Sequence, residues 1–127
     1  MSAETPQLET FPNQHSDREY EVEISCPEFT AVCPRTGQPD FATIRITYVP
    51  HRQIVELKSL KLYLASYRDR GIYHEHVTNQ ILDDFVEACR PLRCEVVGDF
   101  NVRGGIKTIV RASYDRKSKR KNKTGRA

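Results

Sequence analysis

Tyr20, Val22 and Ile24 interleave with Glu19, Glu21 and Glu23, the first regular pattern along the chain. A period of two with one acidic face predicts a strand that is wet on one side. Ala42, Ile44, Ile46 and Tyr48 repeat it against Thr43, Arg45 and Thr47, giving a second strand closed by Pro50. The period then lengthens. Leu57, Leu60, Leu64 and Tyr67 form the stripe of an amphipathic helix that ends near Gly71, and Val77, Ile81, Phe85 and Ala88 form a second, stopped at Pro91. Alternation returns with Cys94, Val96, Phe100 and Val102 set against Arg93, Glu95, Asp99 and Asn101. The turn Arg103-Gly104-Gly105 follows, and Ile106, Thr108, Val110 and Ala112 make a last strand.

The order β-β-α-α-β-β predicts an α+β fold, an antiparallel four-stranded sheet with both helices on one face. Such a sheet has two open edges, which proteins seldom leave bare. Sheets joined into a barrel across subunits would satisfy them, so a homo-oligomer with sites at subunit junctions is expected. Three segments follow from the pattern: a flexible N-terminal arm (1–18), one folded domain (19–115) and a basic disordered tail (116–127).

Composition changes this picture in two places. The chain's 127 residues and 38% hydrophobic content fit one soluble domain. No apolar run approaches a membrane span and the start carries no secretion signal, so a cytoplasmic protein is expected. The net charge of +3 conceals an uneven distribution. Seven basic residues and no acid lie in 116–127, leaving 13 basic and 17 acidic side chains elsewhere. That tail reads as solvated chain, with RNA contact as the alternative; it has no aromatic residue on which a base could stack. Cys26, Cys33, Cys89 and Cys94 show no zinc-finger spacing, and reduced thiols are the default without secretion.

Candidate chemistry starts at Cys33. In Phe29-Thr30-Ala31-Val32-Cys33-Pro34-Arg35-Thr36-Gly37-Gln38-Pro39-Asp40-Phe41, two prolines fix φ and Gly37 permits a tight reversal. A thiol held in such a loop serves as a nucleophile, with Asp40 handling its protons, or sits as a buried spectator; spacing alone favours the spectator. Lys58, Lys61 and Arg68 flank the first leucine stripe, a basic strip that suits phosphate or merely solvates the helix, and Glu56 is a favourable charge at the helix start. In Tyr73-His74-Glu75-His76, Glu75 can accept the N–H edge of a purine-like ring and His74 can carry a proton, or both simply decorate a helix start. The glycines after Arg103 permit close approach of a ligand phosphate, although a hairpin turn needs them anyway.

These motifs occur together and in this order: the cysteine loop, Glu56-Leu57-Lys58-Ser59-Leu60-Lys61-Leu62-Tyr63, His74-Glu75 and Arg103-Gly104-Gly105-Ile106. Over roughly residues 20 to 115 the chain resembles the NADPH-dependent 7-cyano-7-deazaguanine reductase family, QueF, in its short single-domain form. The resemblance implies the tunnelling fold and two stacked pentameric rings. It implies reduction of the nitrile of 7-cyano-7-deazaguanine to an aminomethyl group in queuosine biosynthesis, with two NADPH consumed and no metal required. Cys33 would form a covalent thioimide and Asp40 would protonate the nitrile nitrogen. Glu75 would anchor the deazaguanine edge beside His74, which has a possible part in proton handling, and Val55, Glu56 and Leu57 would complete the base pocket. Lys58, Lys61 and Arg103 would contact NADPH. No cysteine follows His74-Glu75 closely, so a protecting thiol for Cys33 would have to be Cys26, Cys89 or Cys94.

Three other classes compete. A relative of the same fold transferring an amidino group to modified tRNA would not need the Glu56–Lys61 motif. A zinc hydrolase resembling GTP cyclohydrolase I would need clustered His and Cys ligands, conceivable from His74, His76 and Cys33. An RNA-binding module would rest on the tail.

Overall fold

The computed structural model describes residues 5–118. Its elements are β1 (Thr10–Pro12), β2 (Val22–Val32), β3 (Pro39–Val49), β4 (Gln53–Val55), α1 (Leu57–Ala65), α2 (His74–Cys89), β5 (Arg93–Arg103) and β6 (Ile106–Asp115). The four long strands form one antiparallel sheet in the order β2-β3-β5-β6. Both helices lie on one face, α2 across β5 and β6 and α1 against β2. The core between them holds Ile44, Ile46 and Tyr48 of β3, Val96 and Phe100 of β5, Leu60 and Tyr63 of α1, and Val77, Ile81 and Phe85 of α2. This is the predicted α+β order, with two three-residue strands added. Among the described residues, no helix is long and apolar enough to cross a membrane.

The added strands correct the expected arm. β1 falls within residues 1–18 and pairs antiparallel with β4, Thr10 opposite Val55. Glu9 N–H donates to Ser59 Oγ at 2.9 Å, and buried Asn13 donates to the His51 carbonyl and accepts from the Tyr20 hydroxyl. This part of the arm is therefore packed onto the domain. Three residues are too few to display a period, so the alternation could not reveal it. At the other end, Arg116 N–H donates to the Leu92 carbonyl at 3.0 Å. Residues 119–127, which carry most of the basic tail and its expected RNA alternative, lie outside the described residues.

Two β-bulges change which residues face inward. In β2 the pairing shifts by one between Cys26 and Phe29, so Val22, Ile24 and Cys26 face the core on one side of the shift, and Phe29 and Ala31 on the other. In β5 it shifts between Phe100 and Arg103. An extra residue on one strand inverts the alternation beyond it. Val102, predicted to face inward, is accordingly 64% exposed. Arg103, predicted to be at a turn, is brought to the inner face. The first helix also sits differently from its leucine stripe. Leu57 is 62% exposed while Tyr63 is buried, because the packed seam runs through Ser59, Leu60, Tyr63, Leu64 and Tyr67.

Candidate active site

The loop between β2 and β3 is built around Cys33. Its backbone N–H donates to the Gln38 carbonyl and its carbonyl accepts from Gly37 N–H, both at 2.8 Å. Gly37 closes the reversal at φ +75°, a left-handed conformation that favours glycine. The chain thereby folds back so that the Thr36 hydroxyl and the backbone N–H groups of Thr36 and Arg35 donate to the Cys33 sulfur, holding its thiol below the ordinary range; burial and the Asp40 charge oppose them. Donors aimed at sulfur favour the thiolate, the nucleophilic form.

Backbone pairing brings the second motif to this loop. Val32 N–H donates to the Arg70 carbonyl and Ile72 N–H to the Val32 carbonyl, each at 3.0 Å, a parallel bridge centred on Gly71. A Cβ at Gly71 would lie in ordinary contact with the Pro34 backbone, 3.4 Å away, so the two chain segments run close together here. The bridge sets the start of α2, and so Tyr73, His74 and Glu75, beside Cys33.

Asp40 opens the inward-facing row Asp40, Ala42, Ile44, Ile46 and Tyr48 of β3 and is itself buried. A buried carboxylate needs partners. Arg103 Nη1 donates to Oδ1 at 2.6 Å, and His74 Nε2 lies 3.3 Å from Oδ2. Arg103 Nη2 also donates to Gln38 Oε1 at 3.1 Å, tying the cysteine loop to the end of β5. The β5 bulge is what turns Arg103 toward Asp40, a role the sequence did not reveal. His74 lies flat on Phe100, ring centroids 3.8 Å apart and planes 6° from parallel. Cys33, Asp40, Tyr73, His74, Glu75 and Arg103 line one cleft of about 260 Å³. His76, by contrast, packs edge-on against Tyr73, and no three His, Cys, Asp or Glu side chains are placed to hold a metal ion among the described residues.

The remaining predicted residues lie elsewhere. Val55 is buried in the core and donates its N–H to the Tyr48 hydroxyl at 3.2 Å. Both Glu56 carboxylate oxygens cap α1, accepting from Ser59 N–H at 2.7 Å and Lys58 N–H at 3.0 Å, which holds its carboxyl below the usual range. Leu57, Lys58 and Lys61 are exposed. Lys61 and Arg68 border a separate groove of about 350 Å³ beside the β2 bulge. A cavity of about 540 Å³ between the helices and residues 5–8 contains none of the predicted site residues.

The candidate partner thiols are far from Cys33. Cys94 pairs with Tyr48, eight residues along β3 from Asp40, or roughly 27 Å. Cys89 ends a helix whose first residue is His74, about 22 Å away. Cys26 is seven extended residues upstream, roughly 20 Å distant. A disulfide needs Cα atoms within about 7 Å, so none of them can pair with Cys33 in the same subunit.

Comparison with known proteins gives the family. The model of the family described as QueF-like protein matches residues 39–119. The NADPH-dependent 7-cyano-7-deazaguanine reductase of Thermomicrobium roseum is 63% identical over 110 residues, 87% of this chain and 86% of that one. A protein of the same name from an Anaeromyxobacter species is 64% identical over 107 residues, 84% of this chain and 88% of its own. The crystal structure of the archaeosine synthase QueF-Like in the apo form superposes with a TM-score of 0.66 at 22% identity, covering 75% of this chain and 91% of that one, a likeness of fold. A family match over more than half the sequence and two relatives this similar over most of their lengths establish that the chain belongs to the QueF-like family.

Proposed function

We propose that this chain is an NADPH-dependent 7-cyano-7-deazaguanine reductase, converting the nitrile to an aminomethyl group in queuosine biosynthesis through a thioimide on Cys33. The observation that carries this is the meeting of Cys33, Asp40, His74 and Glu75 in one cleft, in a chain 63% identical to a reductase of that name.

The Cys33 thiolate attacks the nitrile carbon, forming a C–S bond while one C–N π bond breaks and the nitrogen takes a proton. Asp40 is the donor. Its Oδ2 lies 3.3 Å from His74 Nε2, within reach for a proton to pass between the two groups, and Arg103 fixes the other oxygen. NADPH, when bound, would supply two hydrides, one to the thioimide carbon as Cys33 departs as thiolate and one to the resulting imine, whose nitrogen takes the second proton from solvent. The donors around the Cys33 sulfur serve twice, stabilising the thiolate as nucleophile and again as leaving group. Glu75 accepts from the N–H edge of the deazaguanine, its carboxylate forming no ion pair among the described residues.

Lys58 and Lys61 fit the cofactor's phosphates: both are exposed, one turn apart, and neither forms an ion pair among the described residues. They do not line the Cys33 cleft of their own subunit. That cleft, at about 260 Å³, also falls below the roughly 300–1,000 Å³ of typical ligand sites. A second copy would supply what is missing, bringing its Val55–Lys61 segment to the cleft. The open edges β2 and β6 and the exposed Ile106 and Ile109 support a barrel joined across subunits, in the tunnelling-fold arrangement of two stacked pentamers. A cytoplasmic location completes the proposal.

The test separates cofactor from substrate. Replacing both Lys58 and Lys61 with alanine should raise the NADPH concentration at half-maximal rate by about tenfold or more, two phosphate contacts being lost. The covalent adduct, read as added mass on the intact protein without NADPH, should form as in wild type. Loss of the adduct in that variant would assign the strip to the base pocket instead.

A further inference from the structure

His74 is held on three sides. Its imidazole lies on the Phe100 ring at 3.8 Å, its Nε2 meets Asp40, and its backbone carbonyl accepts from Thr78 Oγ1 at 2.9 Å. Phe100 and Thr78 are both buried, at 1% and 0% exposure. They share one neighbour, Gly98, two residues before Phe100 on β5. A Cβ at Gly98 would lie 2.5 Å from Thr78 Oγ1 and 2.8 Å from Phe100 Cε1, closer than carbon atoms pack. The absence of a side chain at Gly98 is thus what lets both supports of His74 approach.

We propose that Phe100, Thr78 and Gly98 are positioning residues that fix the plane of the His74 imidazole and thereby keep Nε2 on Asp40 during proton delivery; this rests on the reductase assignment. The second side-chain torsion of histidine is broad, and a ring free to turn about it would leave Oδ2 of Asp40 without its partner. Phe100 removes the freedom about the ring plane by face contact. Thr78 fixes the backbone from which the ring projects. Neither touches the cleft, as both lie beneath it in the core. A ring only an ångström out of place can cost about a hundredfold in rate.

The experiment is a double-mutant cycle on turnover of 7-cyano-7-deazaguanine with NADPH. Phe100→Leu keeps apolar volume but loses the flat face, and should lower kcat about ten- to a hundredfold with little change in KM. In a His74→Ala background the same substitution should cost less than about twofold, because its target is gone. An equal loss in both backgrounds would overturn the proposal and make Phe100 an ordinary core residue. Should Phe100→Leu fail to fold, Thr78→Val decides by the same cycle. Wild-type protein without turnover or adduct would instead overturn the reductase assignment itself, so the two failures are distinct.

Discussion

Cys33→Ala should reduce turnover by more than about a thousandfold, in line with the loss of a nucleophile elsewhere, and should abolish the added substrate mass on the intact protein. Both effects follow from one atom. The loop gives the sulfur three hydrogen-bond donors, from the Thr36 side chain and from the Thr36 and Arg35 backbones, and alanine leaves them nothing to stabilise. The fold should be unaffected, since Cys33 is only partly buried and forms no disulfide. Adduct mass persisting in the alanine variant would remove Cys33 from the role of nucleophile.

Asp40→Asn should cost about 10²- to 10⁴-fold in turnover, the range for losing a positioned proton donor. The amide is nearly the same shape and still offers Arg103 an acceptor, but it has no proton to give to nitrogen. The Asp40 charge opposes ionisation of Cys33, so its removal makes the thiolate easier to form. Alkylation of Cys33 at a fixed pH should therefore stay as fast as in wild type or become faster while turnover collapses. If alkylation slowed in step with turnover, Asp40 would be acting as the base that activates the thiol and not as the acid.

The long elements could be read from the sequence because each buries one face along its whole length. Ile44, Ile46 and Tyr48 are inward as their alternation requires, and so are Val77, Ile81 and Phe85 at helical spacing. The bulges could not be read. No residue type marks the extra position in β5, yet it exposes Val102 and aims Arg103 at Asp40. The site was legible as motifs, Cys33 to Asp40 and His74-Glu75. The Val32–Gly71 bridge that joins them is backbone pairing between residues 39 apart, invisible to any local pattern. Glu56 was legible in part. Its reading as a favourable charge at the helix start is the α1 cap, whereas the base pocket that its motif implied would need a second subunit. Phe100 read simply as core, and only its parallel stacking on His74 distinguishes it.

Nitrile to primary amine is a four-electron reduction, and each NADPH carries two electrons. The most direct test of the account is therefore to incubate wild-type protein with 7-cyano-7-deazaguanine and NADPH and to count cofactor oxidised against aminomethyl product formed. Two NADPH oxidised per product, with transient added mass on Cys33, is the predicted result. Nitrile recovered unchanged with NADPH unspent would contradict it.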